Sequence, residues 1–149
     1  MENSPFITTT AEETRAFGKK MAQVLAPQAL VCLEGDLGAG KTTLVQGLLE
    51  GLGAKRPYIS PTFVIMKQYD LPQATVQGIR RIYHADAYRV GEKDFHEIGF
   101  LEWCADPAGL VILEWPERIG NLVPQNKTVI TLRSLSETER EITLETKEI

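Results

Sequence analysis

The sequence has few cysteines, no long apolar run and no excess of positive charge, and each absence argues against a class of protein. Its 2 cysteines, Cys32 and Cys104, form no C-x-x-C pair, which fits a reducing cytosol better than a disulfide framework. No apolar stretch approaches the roughly 20 residues of a membrane helix. The first residues lack a basic region followed by an apolar stretch, so a cytoplasmic location is expected.

The charge balance also bears on partners. A net charge of −4 lacks the basic footprint of proteins that bind nucleic acid on their own, although a local basic patch would still be compatible with it. The 149 residues, 43% of them hydrophobic, suit one domain with a substantial core. We therefore expect a single domain over residues 1–149.

The pattern along the chain predicts alternating helices and strands. Thr10 and Glu13 form a capping box that opens a first helix, which Pro27 is expected to end. The apolar residues on the inner face of this helix are Phe17, Met21 and Val24. A strand at about 29–34 and a helix ending at Gly51 or Gly53 follow.

The second half of the chain continues this alternation. We expect two antiparallel strands at 63–69 and 79–84, joined by a loop at 70–78. The remaining elements are a helix at 92–104 with Phe95, Ile98 and Leu101 in register, a buried strand at 110–113, and a hairpin of strands 127–133 and 140–145. Together they predict an α/β sandwich with a mixed, mainly parallel central sheet and a C-terminal hairpin.

Residues Gly35–Thr42 read GDLGAGKT and match the phosphate-loop pattern G-x-x-x-x-G-K-[ST]. An apolar strand precedes them and apolar residues at helical spacing follow, which is the context that such a loop requires. Lys41 is expected to neutralise the outer phosphates, and the Thr42 hydroxyl to bind Mg²⁺ at the helix N-terminus. The loop predicts a protein that binds a nucleoside phosphate.

Glu114 ends the apolar strand 110–113, which is where P-loop proteins place a carboxylate that holds Mg²⁺. A solvent-facing glutamate is the alternative. Trp115 follows it, either beside the nucleotide or in the core, and Glu117 is either a second acid or exposed.

Two further short segments carry candidate site residues. His84 and Asp86 share one face of a strand, so Asp86 can reach the metal or orient water, with His84 as its hydrogen-bond partner or as a structural residue. Thr62, in the segment Ser60-Pro61-Thr62, either senses a γ-phosphate or belongs to an ordinary turn.

The sequence favours an adenine over a guanine nucleotide because one residue departs from the guanine-binding motif. Residues 126–129 begin like the guanine-reading motif N-K-x-D, but Val129 replaces the acid that would bond to guanine. This favours ATP over GTP.

These motifs together resemble the TsaE family, formerly called YjeE, of bacterial P-loop ATPases that act in synthesis of threonylcarbamoyladenosine on tRNA. The resemblance rests on Gly35–Thr43, Ser60–Phe63, His84–Arg89 and Leu113–Glu117, which occur in the family's order and at similar separations. It implies ATP and Mg²⁺ as cofactors, TsaD and TsaB as partners, and contact with tRNA only through that complex.

The resemblance also implies roles for individual residues. It implies that Thr42 and Glu114 bind the metal and that Lys41, Asp86 and Thr62 lie at the γ-phosphate, where water attacks. The nucleotide-binding residues that it implies are Asp36, Leu37, Gly38, Ala39, Gly40, Lys41, Thr42, Thr43 and, near the closing hairpin, Arg140.

Two other functions remain open from the sequence. One is a small-molecule or nucleoside kinase using the same loop, although few residues are left for an arginine-bearing lid. The other is a nucleotide-gated assembly module that requires no turnover. No arginine finger is evident, so we expect hydrolysis by the isolated protein to be slow.

Overall fold

In the computed structural model, which describes residues 5–62 and 64–147, helices pack on both faces of one sheet. The strands found within these residues are β1 Phe6–Thr8, β2 Leu30–Glu34, β3 Met66–Asp70, β4 Arg81–Asp86, β5 Gly109–Glu114, β6 Lys127–Ser134 and β7 Arg140–Lys147. The helices are α1 Ala11–Ala22, α2 Lys41–Leu52, α3 Glu92–Glu97, α4 Phe100–Ala105 and a 3₁₀ helix Pro116–Ile119.

The sheet is mixed, with a parallel centre and antiparallel flanks. The strand order is β1-β7-β6-β2-β5-β4-β3; β6, β2, β5 and β4 run parallel, while β1, β7 and β3 pair antiparallel with their neighbours. This confirms the predicted α/β class and the C-terminal hairpin. Parallel strands end at one edge, so the loop after β2 lies near Asp86 and Glu114, which are register partners on β4 and β5.

Alternate residues of the central strands build two separate cores. Leu33 and Ile112 pack under α1 and α2, whereas Cys32 and Leu113 pack under α3, α4 and the 3₁₀ helix. Every residue of β5 is buried, as expected for a central strand covered on both faces. Helix α2 begins directly after the loop and is capped by Gly53 at φ 90°, one of its two predicted ends.

The predicted first helix is correct at its start and wrong at its end. The Thr10 side chain accepts a hydrogen bond from the backbone N–H of Glu13, which is one half of the predicted capping box. The Glu13 carboxylate accepts from the N–H and hydroxyl of Thr9 and not from the Thr10 N–H. However, α1 ends at Ala22 with Gln23 as its cap, well before Pro27. Val24 therefore lies beyond the helix and is 77% exposed instead of facing the core.

The predicted helix 92–104 is two short helices, because Gly99 adopts φ 105° between α3 and α4. The break changes which residues face the core: Ile98 and Leu101 are exposed, while Phe100 and Trp103 are buried beside Phe95.

Several strands also differ from expectation; β4, for example, runs from Arg81 to Asp86 and not over 79–84. Strand β3 begins at Met66 because Val64 and Ile65 belong to a turn whose N–H groups bond to the Pro61 carbonyl. Phe63 lies outside the described residues. Strand β1 was not predicted, since three residues are too short for a period to show. No helix among the described residues is long and apolar enough to cross a membrane.

Candidate functional site

The glycine-rich loop connects β2 to α2 at the carboxyl edge of the sheet. Gly35, Gly38 and Gly40 take φ values of 150°, 82° and 102°, which side-chain-bearing residues rarely adopt. Gly40 is the N-cap of α2, so the first N–H groups of that helix, which have no intrahelical acceptor, begin where the loop closes. A helix N-terminus built in this way attracts anions.

Lys41, the first residue of α2, is buried although it is charged. It is only 6% exposed, and its Nζ donates a hydrogen bond to the Gly35 carbonyl at 2.6 Å. The same ammonium lies 3.8 Å from the centroid of the Trp115 ring. Burial lowers the pKa of Lys41, and the nearby carboxylate of Glu114 opposes that shift. The side chain thus holds a positive charge beside the loop.

Asp86, at the end of β4, is bonded on both oxygens. Its Oδ2 accepts a hydrogen bond from the Thr62 hydroxyl at 3.1 Å and its Oδ1 accepts from the Tyr88 N–H at 2.8 Å. Thr62 also shares a hydrogen bond of 2.9 Å with the Ser60 hydroxyl. These bonds fix the carboxylate of a residue that is only 6% exposed. The contact brings together two of the predicted site residues.

The imidazole of His84 pairs with Glu114 and not with Asp86. Its Nε2 lies 2.7 Å from Glu114 Oε2, between adjacent strands β4 and β5. Asp86 bonds instead to Thr62 and Tyr88. The interpretation of His84 as the hydrogen-bond partner of Asp86 is therefore wrong, although the two share a strand.

One cleft of about 460 Å³ brings most predicted site residues together. Its lining residues are Leu37, Gly38, Gly40, Lys41, Thr42, Thr43, Thr62, Asp86, Tyr88, Arg89, Glu114, Trp115 and Arg140. Asp36 and Ala39 lie outside this lining: Asp36 is exposed, and Ala39 is 2% exposed, with its side chain in the core. Nucleotide contact by these two residues stays a prediction.

Arg140, at the start of β7, ties the closing hairpin to the loop. Its guanidinium donates to the Gly38 carbonyl at 3.2 Å and to the Ser136 and Glu139 carbonyls at 2.9 Å. A Cβ added at Gly40 would lie 3.3 Å from Arg140 Nε, so glycine permits this approach. Arg140 thus lies beside the loop, and its contact with the nucleotide stays a prediction.

Two aromatic residues, Tyr88 and Trp115, also line the cleft, and the sequence indicated only Trp115 as a candidate. The Tyr88 and Trp115 rings lie 4.9 Å apart, and the Arg118 guanidinium lies 4.6 Å from the Tyr88 centroid. Trp115 adopts φ 59° before Pro116, a strained backbone of the kind that collects at functional sites. Tyr88 and Arg89 lay within a recognised motif, but no local pattern assigned them to the cleft.

The oxygen atoms at the cleft fit a magnesium ion better than a zinc ion. Thr42 and Glu114 both line it, which places a hydroxyl and a carboxylate on one wall. The described residues contain no group of three or more His, Cys, Asp or Glu side chains arranged to hold a metal. Mg²⁺ suits such a site, because it commonly takes one or two protein oxygens and completes its shell with phosphates and water.

Two residues weighed in the sequence lie elsewhere. Val129 is 6% exposed on β6, in the core formed with α3 and α4, and residues 126–128 line a separate cavity with residues 26–30. Glu117 is exposed on the 3₁₀ helix and is not part of the cleft lining.

Comparison with known proteins identifies the family that carries this site. A family model described as "Threonylcarbamoyl adenosine biosynthesis protein TsaE" matches residues 8–142. The chain belongs to the TsaE family. The family is involved in tRNA threonylcarbamoyladenosine biosynthesis.

Similar members span nearly the whole chain. A TsaE protein of Bacillus subtilis (strain 168) is 38% identical over 96% of this chain and 85% of its own. One of Treponema pallidum (strain Nichols) is 35% identical over 93% and 97%. The crystal structure of Bacillus subtilis YdiB superposes with a TM-score of 0.75 at 32% identity, covering 99% of this chain and 88% of that one. The two proteins thus share this fold over nearly all of this chain.

Proposed function

We propose that this TsaE-family protein binds ATP with Mg²⁺ and hydrolyses it in support of threonylcarbamoyladenosine synthesis on tRNA. The observation that carries the proposal is the single cleft in which the glycine-rich loop, Thr42, Glu114, Asp86 and Thr62 meet. A small-molecule kinase would also need a phosphate loop, but the described chain follows it with a compact sheet and two short helices instead of an arginine-bearing lid.

Each residue of the cleft has a task in this proposal. The loop N–H groups and Lys41 hold the phosphates, while Thr42 and Glu114 offer oxygens to the metal. Mg²⁺ bound there would neutralise charge that develops on the phosphates. Asp86, fixed by Thr62 and the Tyr88 N–H, orients the attacking water and accepts its hydrogen bond.

ATP is proposed as the nucleotide because of the family resemblance. Val129 is buried in the core away from the cleft, so the segment 126–129 does not decide between ATP and GTP. The partners are TsaD- and TsaB-type proteins, and tRNA is reached only through that complex. A cytoplasmic location fits this role. The arginines Arg89 and Arg140 line the cleft, but Arg140 is already bonded to backbone carbonyls, so a partner is expected to complete the site.

The test is release of inorganic phosphate from ATP, measured with the protein alone and with the TsaD–TsaB pair. We expect slow release alone and faster release with the pair. ADP formed without free phosphate, together with a phosphorylated acceptor, would establish a kinase instead. Full tRNA modification by Asp86→Ala without any turnover would establish a nucleotide-gated assembly module.

A further inference from the structure

His84 is the one histidine of the described chain that is buried, and its two ring nitrogens have different surroundings. Nε2 lies 2.7 Å from Glu114 Oε2, and the two side chains are only 5% and 12% exposed. Nδ1 is buried and has no hydrogen-bond partner among the described residues. A histidine that served only to satisfy the core would use both nitrogens, since an unmade buried hydrogen bond is costly. Here the hydrogen bonding of the ring is directed to Glu114.

The two side chains also face different spaces. Glu114 lines the cleft of about 460 Å³ and a second cavity of about 110 Å³. His84 lines only the second cavity, together with Thr42, Gln46 and Ser60 among others. His84 therefore stands outside the cleft and meets it through Glu114.

Glutamate needs such a contact if it is to hold a cation in one direction. Its side chain has three rotatable bonds, and fixing them costs conformational entropy. A carboxylate only accepts hydrogen bonds, so Nε2 carries the hydrogen and donates it to Oε2. That bond leaves Oε1 for a ligand in the cleft. Partners of this kind are common behind metal-binding carboxylates, and their loss typically costs about 10- to 100-fold in metal affinity.

We propose that His84 is the positioning residue for Glu114, holding its carboxylate in the orientation that binds Mg²⁺. His84 touches neither the nucleotide nor the metal. This inference rests on the proposed function, because it assigns a task to a residue behind the same magnesium site.

The test compares His84→Gln with His84→Asn, two amides of similar size. The Gln amide reaches the position of Nε2 and can still donate to Glu114, whereas the Asn amide reaches only the position of Nδ1. Binding of a non-hydrolysable ATP analogue is measured by calorimetry with and without Mg²⁺ at one pH, and folding by thermal denaturation. We expect His84→Asn to lose about tenfold or more of the Mg²⁺-dependent gain in affinity. His84→Gln should keep most of that gain, and binding without Mg²⁺ should be unchanged in both.

Two controls separate the effect of the His84–Glu114 contact from other effects of the substitutions. His96→Asn changes the exposed histidine of α3 and should match the wild type. In a Glu114→Gln background, His84→Asn should cause no further loss, because the residue acts through Glu114. Equal Mg²⁺-dependent gains in the Asn and Gln variants, an independent further loss in the double variant, or loss of the gain in a folded His84→Gln would overturn the inference. If the wild type binds no nucleotide or gains nothing from Mg²⁺, the proposed function fails and the inference falls with it.

Discussion

The two ends of strand β4 carry polar clusters that differ in burial and in how far their hydrogen bonds are completed within the protein. At the amino end, Asp106 accepts hydrogen bonds from Arg81 at 2.6 and 2.8 Å, from the Tyr83 hydroxyl at 2.7 Å and from the Ala108 N–H at 3.0 Å. At the carboxyl end, His84 keeps one buried nitrogen without a partner in the described chain.

The difference separates a structural cluster from a candidate site. The amino-end groups complete one another's hydrogen bonds, and the Arg81 guanidinium holds the pKa of Asp106 well below its usual range. The carboxyl-end groups Lys41, Asp86 and Glu114 are buried more deeply than Arg81, whose side chain is 37% exposed, and they line a cleft. Polar groups placed around an open space are arranged for a ligand as well as for the fold.

The largest expected effect is on turnover at the carboxyl end. Asp86→Asn should lower ATP hydrolysis by about 100-fold or more, because the amide orients water poorly and cannot accept its proton. ATP affinity should stay within a few-fold of the wild type. The measurement is phosphate release in the presence of the partner pair, with direct binding in parallel. The control is Asp70→Asn, which changes an exposed aspartate on β3. An equal loss of ATP hydrolysis in both variants would show that Asp86 has no specific role in hydrolysis.

The next effect is on binding at the same end. Lys41→Ala removes the ammonium that lies beside the loop, so ATP binding should weaken by about 10- to 100-fold. Within the described residues the change removes the hydrogen bond to Gly35 and the contact with the Trp115 ring, so the free energy of unfolding should fall by about 1–3 kcal/mol. Calorimetry and denaturant unfolding measure the two quantities. Lys19→Ala, at an exposed surface pair with Glu50, should leave binding intact. Undiminished ATP affinity in Lys41→Ala would contradict the loop's role.

The amino end should respond in the reverse way. Asp106→Asn weakens a cluster whose groups hydrogen-bond to one another, so the free energy of unfolding should fall by about 1–3 kcal/mol. ATP binding and hydrolysis should stay unchanged. Asp70→Asn, the exposed aspartate on β3, is again the control. A loss of ATP binding in a folded Asp106→Asn would erase the distinction between the two ends.

The pH dependence of the free energy of unfolding tests the same cluster further. Because the pKa of Asp106 is lower in the folded than in the unfolded protein, its contribution is complete above the unfolded value of about 3.9 and is lost as the pH falls through the folded value. The free energy of unfolding of the wild type, measured with denaturant, should therefore fall steeply towards acid pH. The free energy of unfolding of Asp106→Asn should fall less steeply. Parallel curves would mean that the carboxylate does not stabilise the fold.

The smallest expected effect concerns the two thiols, which do not line the cleft. Burial raises the pKa of Cys32 to about 12 and that of Cys104 to about 11, so both stay protonated and react slowly near pH 8. Cys104, which is half-buried, should be alkylated before Cys32, as mass spectrometry can follow. Neither thiol lines the cleft, so saturating ATP should leave both rates unchanged. Protection of either thiol by ATP would place the nucleotide elsewhere.

The sequence predicted the elements whose signals are local. The loop, the strand before it and the buried strand ending at Glu114 follow from short patterns, and the structure has them in place. The break at Gly99 was missed because one glycine inside a helical period looks tolerable until its φ is known. Strand β1 exists only through its pairing with β7, which a window of residues cannot show.

The same limit applied within the site. His84 and Asp86 were grouped because they share a strand face, but hydrogen bonding depends on which strand lies alongside. The parallel neighbour β5 brings Glu114 to His84, and Thr62 reaches Asp86 from a loop 24 residues away. Such contacts depend on the register between distant segments, which local patterns in one sequence do not reveal.

The most direct test of the account is a crystal structure with Mg²⁺ and a non-hydrolysable ATP analogue. We expect the phosphates to lie in the loop beside Lys41 and the metal to contact Thr42 and Glu114. We also expect the Arg81–Tyr83–Asp106 cluster at the amino end of β4 to be unchanged. Phosphates bound away from the loop, or a metal that contacts neither Thr42 nor Glu114, would contradict it.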